Sequence, residues 1–111
     1  MTCYSFSMEQ QNIIYEVVAI TIDKLRVDEY KSAFSQAEPI IKRQDGYLGH
    51  TILQHHDDIT RFQLIIQWRS IDDHQIGFRQ SEDYQEWKAL LHPFYDQDMF
   101  PVVEYFLTLN D

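Results

Sequence analysis

The feature that most constrains the fold is a pair of strand-type segments near the middle of the chain. YLGHTILQHH and RFQLIIQWR are separated only by the polar residues DDIT. Two such runs joined by a four-residue turn predict an antiparallel hairpin. In the second run every other residue is apolar, so one face of that strand must be covered by helices. The residues of this face are Phe62, Leu64, Ile66 and Trp68.

Two further strands flank this hairpin. The run IIYEVVAITI, residues 13–22, is apolar on both of its alternating sets and predicts a strand in the middle of the sheet. The run PVVEYFLTL predicts the last strand of the chain.

Helical spacing is found on each side of the hairpin. Residues 26–46 predict a first helix, with Gly46 beyond its end, and Pro39 predicts a kink or break near Glu38. Its helical face consists of Val27, Tyr30, Phe34, Ala37 and Ile41.

Two short helices are predicted after the hairpin. Ser70 and Ser81 are placed to cap them, with Gly77 at the join between them. Tyr84, Trp87 and Leu91 share one face of the second, which ends at His92-Pro93.

The resulting order is β-α-β-β-α-β, which predicts an α+β, ferredoxin-like fold with a four-stranded antiparallel sheet and its helices on one face. No further helix remains to cover the other face, so we expect a second copy of the chain there, in a homodimer. A chain of 111 residues suits a single domain, assigned to residues 13–111 after an N-terminal tail, residues 1–12.

Charge excludes several classes of partner. Nine basic residues stand against 18 acidic ones, a formal charge of −9 that disfavours nucleic acid and anionic membranes. The single cysteine, Cys3, cannot form an internal disulfide, and no long apolar run is present. We therefore expect a soluble, cytoplasmic protein.

Four segments together resemble the antibiotic biosynthesis monooxygenase family of the dimeric α/β-barrel superfamily: DGYLGH, FQLIIQWRS, FRQSEDYQEWKALL and PVVEYF. The resemblance covers residues 13–109. It implies a dimeric α/β barrel and oxidation of an electron-rich aromatic or quinol-type molecule by O2, without metal or flavin. Such a reaction needs a base, hydrogen-bond donors for the substrate anion, and a dry apolar pocket.

The resemblance also suggests site residues. Trp68 matches a strand tryptophan of the family and is expected to face the cavity, His50 is a candidate base, and Glu104 stands where many members carry a histidine. These three form the predicted catalytic set. The predicted substrate-binding set is Arg79, which could pair with a phenolate or carboxylate, together with Phe78, Tyr84 and Trp87 as cavity walls. Each of these residues also has a purely structural interpretation.

Other chemistries are less favoured. Haem-degrading relatives carry a ligating histidine where this chain has Trp87-Lys88. The HHDD segment is interpreted as a solvated hairpin tip rather than a metal site, and His74 as a solvated surface residue.

The alternative function is a non-catalytic dimeric module that binds a small molecule. An ionisable group inside the cavity, with His50 or Glu104 buried beside Trp68, would favour catalysis, whereas a cavity filled by Phe78, Trp87 and Phe94 would favour packing.

Overall fold

The computed structural model describes residues 12–109. The predicted tail, except for its last residue, lies outside this range, as does Cys3. Among the described residues no helix is long and apolar enough to span a bilayer.

A four-stranded antiparallel sheet confirms the predicted fold class. Its strands are β1 (Ile14–Thr21), β2 (Tyr47–Gln54), β3 (Arg61–Trp68) and β4 (Val103–Leu107). They are ordered β2-β3-β1-β4, so β1 lies inside the sheet as predicted, paired with β3 and β4. The register places Ile14 opposite Trp68 on one side, and Val18 opposite Val103 on the other.

Helices cover one face of this sheet. They are α1 (Val27–Lys42) and α2 (Glu82–Leu91), with a π-helical turn over Asp73–Phe78 and 3₁₀ turns at Lys24–Arg26 and His92–Phe94. Ser81 caps α2 through the N–H of Tyr84, and Ser70 accepts the N–H of Asp73 before the π-helical turn. Both predicted caps are confirmed.

Of the kink or break predicted near Glu38, the break is wrong, because α1 runs without interruption from Val27 to Lys42. Pro39 removes the N–H that would have bonded to the carbonyl of Ser35, and both residues are exposed. Water can therefore solvate that carbonyl. Buried residues around the proline, among them Ala37 and Ile40, hold the helix on the core.

The hairpin loop is longer than the four residues predicted, because β2 ends at Gln54 and β3 begins at Arg61. The His55 ring accepts the backbone N–H groups of Asp57 and Asp58 at 3.0 and 3.1 Å. The chain therefore leaves β2 after Gln54, two residues before the predicted end of the strand. His56 is exposed, in agreement with the interpretation of HHDD as a solvated tip.

The two faces of the sheet have different surroundings. The inner face packs under the helices, and its β3 residues Phe62, Leu64, Ile66 and Trp68 are all buried, as predicted. The outer face has no cover within the described chain. It leaves large apolar side chains in solvent, including Leu53 and Phe106.

Gly46 joins α1 to β2 at a φ of +89°, in the left-handed region that favours glycine. A Cβ at this position would collide with the side chain of Asp73. Asp73 in turn binds Ser70 and Arg69 at the start of the π-helical turn. Gly46 thus fixes the helix-to-strand connection and the base of that turn.

We expect Gly46→Ala to lower the free energy of unfolding by about 1–3 kcal/mol, because it adds backbone strain and displaces Asp73. Urea unfolding measures this. Gly49→Ala is the matched control, since no atom of residues 12–109 lies within 4 Å of the added methyl group. Equal effects of the two substitutions would contradict the role given to Gly46.

Candidate functional site

A cavity of about 330 Å³ lies between the β1–β4 side of the sheet and the helices. Aliphatic side chains of the strands, such as Val18 and Leu64, form its floor. Its aromatic walls are Phe78, Tyr84, Trp87, Tyr95 and Phe100. Its carboxyl, imidazole and guanidinium groups belong to Glu16, His74, Arg79 and His92. The arrangement is an apolar pocket with a few convergent polar groups, as is usual for small-molecule sites.

Glu16 is the buried carboxyl group of this cavity. It lies on β1 among apolar neighbours and is only 4% exposed. The indole Nε1–H of Trp68 donates to its Oε1 at 2.8 Å. Burial raises the pKa of Glu16 to about 7, although the Trp68 hydrogen bond and the charge of Arg79 both oppose this shift. The group is therefore close to half ionised at neutral pH.

His74 lies next to Glu16 and is 5% exposed. Its Nδ1 is 2.6 Å from the Tyr105 hydroxyl, and its Nε2 is 3.3 Å from Oε2 of Glu16. Burial, and secondarily the charge of Arg79, lower the pKa of His74 to about 4. An uncharged imidazole thus faces the carboxyl group at neutral pH.

The expectation that His74 is a solvated surface residue is wrong. In the π-helical turn the N–H of Arg79 donates to the carbonyl of His74, five residues earlier, at 2.9 Å. This wider turn places both His74 and Phe78 in the buried layer. A search based on 3.6-residue spacing does not reveal such a turn.

Arg79 contributes a positive charge to the cavity lining. Its guanidinium makes no hydrogen bond or ion pair with residues 12–109, yet its charge lowers the pKa values of Glu16, His74 and His92. Burial has the largest effect on the pKa of each of the three groups, and for His92 the charge of Lys88 comes before that of Arg79. A cation so placed can accept an anionic group of a ligand.

The predicted substrate-binding residues Phe78, Arg79, Tyr84 and Trp87 all line this cavity. Trp68 is fully buried and does not line it directly. Its indole N–H instead binds the carboxylate that does. The structure thus places Trp68 behind Glu16, as a hydrogen-bond donor to the carboxylate rather than as part of the cavity lining.

His50 and Glu104 lie away from the cavity. The His50 ring is held between the Tyr47 hydroxyl at 2.6 Å and Oε2 of Glu38 at 2.7 Å, on the α1–β2 side of the sheet. Glu104 pairs with Val17 in the sheet and lies exposed on the outer face. The carboxyl group beside Trp68 is therefore Glu16.

The sequence carried a signal for Glu16. It is the one charged residue in an alternating apolar set whose other members are Ile14, Val18, Ile20 and Ile22. A buried charge in a core strand is rare unless it is paired, and marks a candidate site. Within residues 12–109 no group of three or more His, Cys, Asp or Glu side chains is placed to hold a metal ion.

Comparisons with known proteins identify the family of the chain. The family model for antibiotic biosynthesis monooxygenase matches residues 13–90, and the chain belongs to that family. It is 39% identical over 94 residues to YczJ of Bacillus subtilis strain 168, a protein of uncharacterised function; the match covers 85% of this chain and 97% of YczJ.

Solved structures show the same fold. A Bordetella bronchiseptica protein, described as a candidate antibiotic biosynthesis monooxygenase, superposes with a TM-score of 0.82 at 27% identity, covering 89% of this chain and 99% of that one. SnoaB of Streptomyces nogalater, a cofactor-independent oxygenase, superposes with a TM-score of 0.69 at 19% identity, covering 90% and 99%.

Replacing Glu16 should change how stability depends on pH. An acid whose pKa is raised by folding stabilises the folded state fully below its unfolded pKa, and this contribution is lost as the pH rises through the folded value. For Glu16 the loss falls between about pH 4.5 and 7, and a shift of this size corresponds to about 3 kcal/mol.

Glu16→Gln removes this titration. Relative to wild type, its free energy of unfolding should therefore increase with pH across that interval, by up to about 3 kcal/mol. Urea unfolding at several pH values measures the difference. A difference that is constant with pH would contradict a raised pKa for Glu16.

Proposed function

We propose that this protein is a cofactor-independent monooxygenase that oxidises a small electron-rich aromatic or quinol-type molecule with O2. The observation that carries the proposal is the buried Glu16 carboxyl group inside an aromatic-walled cavity. Its pKa of about 7 suits a general base at neutral pH. The family to which the chain belongs supports the class of reaction.

The proposed reaction begins with proton transfer from the substrate to Glu16. For a ring carbon bearing two hydrogens, as in an anthrone, this leaves an electron-rich anion. The anion gives one electron to O2, and the resulting substrate radical and superoxide combine into a peroxide. Glu16 returns its proton to the peroxide, and loss of water leaves a carbonyl. In total, the substrate loses two hydrogens and gains one oxygen atom, while the other oxygen leaves as water.

The cavity supplies the remaining requirements of this chemistry. Phe78, Tyr84 and Trp87 provide apolar walls that limit the access of water. Arg79 is placed to stabilise the substrate anion, and Trp68 holds the Glu16 carboxylate. A volume of about 330 Å³ is at the small end of ligand pockets, which favours a compact substrate.

The alternative is a module that binds the same class of ligand without reaction. Packing within the wall supports it, since Phe78 and Trp87 meet edge to face with ring centroids 5.7 Å apart. Arg79 alone would suffice to bind an anionic ligand. The two functions differ in whether Glu16 is needed for turnover or only for packing.

Assembly as a homodimer, with the two sheets forming a barrel, belongs to the same proposal. The outer face presents half-buried Val17 and Ile65 beside exposed Phe106. Apolar groups exposed in this way on a sheet favour a covering partner. Location in the cytoplasm stays a prediction.

Oxygen uptake tests the proposed reaction. Metal-stripped protein should consume O2 with at least one member of a panel of hydroquinones and anthrones, and Glu16→Gln should lower the rate by about 100-fold or more. His50→Ala and Glu104→Gln are the comparison variants, because neither residue lies in the cavity. Loss of uptake in one of these, but not in Glu16→Gln, would overturn the assignment of the base. Ligand binding without uptake by wild type would favour the binding module.

Sedimentation tests the dimer. Ile65→Glu places a charge on the outer face and should yield monomers at concentrations where wild type is dimeric. Ile76→Glu is the matched control, because Ile76 is exposed on the helical side of the chain. A monomeric wild type, or dimers of Ile65→Glu, would contradict this assembly.

A further inference from the structure

The hydroxyl group of Tyr105 contacts a residue of the cavity lining and has no part in the proposed reaction. The hydroxyl of Tyr105 lies 2.6 Å from Nδ1 of His74, and Tyr105 does not line the cavity. Tyr105 is half-buried on β4, an edge strand of the sheet. It therefore lies between the buried imidazole and the surface.

The contacts form a row of groups that can exchange protons, with two hydrogen bonds and one ion-pair contact. Trp68 occupies Oε1 of Glu16, which leaves Oε2 directed to Nε2 of His74 at 3.3 Å. The two atoms are within ion-pair distance but are not aligned as a hydrogen bond, as is common for catalytic pairs without a bound substrate. The other ring nitrogen meets Tyr105. The imidazole thus bridges the carboxyl group and the phenol.

We propose that Glu16, His74 and Tyr105 form a proton conduit through which the buried carboxyl group exchanges its proton with solvent. Tyr105 is a positioning and relay residue, not one that touches substrate. Its part in turnover rests on the proposed function. The conduit itself is a property of the protein without substrate.

Exchange along this row needs no charged histidine. With Glu16 protonated, its O–H donates to Nε2, and Nδ1–H donates to the Tyr105 oxygen. Three protons then each move one step: from Glu16 to Nε2, from Nδ1 to the phenol oxygen, and from the phenol to water. Glu16 is left as the carboxylate, His74 is neutral with its proton on Nε2, and Tyr105 again carries its O–H. One proton has reached solvent.

The surroundings of His74 favour this neutral route. Burial and the positive charge of Arg79 both disfavour the imidazolium form, so its pKa is lowered to about 4. The other titratable groups that face the cavity are Tyr84, His92 and Tyr95. For Tyr95, burial raises the pKa well above its usual range, and His92 has a lowered pKa. None of the three is hydrogen-bonded to His74 within the described residues.

The tautomer of His74 tests the first part of the proposal. ¹⁵N chemical shifts of the ring nitrogens distinguish protonation on Nδ1 from protonation on Nε2. Between pH 5 and 9, in protein without substrate, the proton should move from Nδ1 to Nε2, with a midpoint near the pKa of Glu16. In Glu16→Gln one tautomer should persist at all pH values. A protonated imidazolium at pH 6, or a wild-type tautomer that does not change, would overturn the conduit.

The rate of exchange tests the role of Tyr105. At the midpoint pH, ¹⁵N relaxation dispersion reports interconversion of the two states on the microsecond-to-millisecond timescale. Tyr105→Phe should slow it by about 100-fold, because the phenol proton is lost. Tyr47→Phe is the matched control and should leave the rate unchanged, since Tyr47 also bonds a histidine Nδ1 at 2.6 Å, in His50, but lies outside the cavity. An unchanged rate in Tyr105→Phe would overturn the relay.

Failure of the conduit can be told apart from failure of the proposed function. The tautomer and exchange measurements use no substrate, whereas oxygen uptake reports the reaction alone. If Tyr105→Phe leaves the exchange rate unchanged while the protein still consumes O2 with substrate, only the proposed relay is wrong. If exchange depends on Tyr105 but the wild-type protein consumes no O2, only the proposed oxidation is wrong.

Discussion

The hydrogen bond from Trp68 to Glu16 is the interaction on which the site depends. A carboxyl group in an apolar core is costly unless it is hydrogen-bonded, and the indole N–H supplies that bond at 2.8 Å. It also joins β3 to β1 beneath the helices, which fixes the orientation of the carboxylate. Oε2 is thereby left to face His74 and the cavity. This one hydrogen bond thus both stabilises the buried carboxyl group and orients it towards the cavity.

Most of the fold could be predicted from periodicity. Alternate side chains of a strand point to opposite faces of the sheet, so the pattern of apolar residues shows which faces are buried. This pattern identifies β3 as a strand with one buried face and β1 as a strand inside the sheet. Pro39 shows where the local rule fails. Its effect depends on whether the lost hydrogen bond faces water, which is set by tertiary packing and not by the helix itself.

The site was predicted less completely than the fold. Cavity walls such as Tyr84 and Trp87 follow from helical spacing, because that spacing directs them to the sheet. His74 could not be found in this way, since a π-helical turn changes which residues share a face. Glu16 was visible as a lone charge in an apolar set, but its pairing with Trp68 joins residues far apart in the chain. Such contacts depend on register, which a residue pattern gives only indirectly.

The proposed reaction requires that the Glu16 carboxyl group have a raised pKa in the folded protein. The most direct measurement is a pH titration of the ¹³C chemical shift of its side-chain carboxyl carbon, in wild-type protein without substrate. A midpoint near pH 7 is the predicted result, because burial outweighs the Trp68 hydrogen bond and the charge of Arg79. A midpoint near 4.5, the ordinary value for glutamate, would contradict the account, since the carboxylate would then be too weak a base.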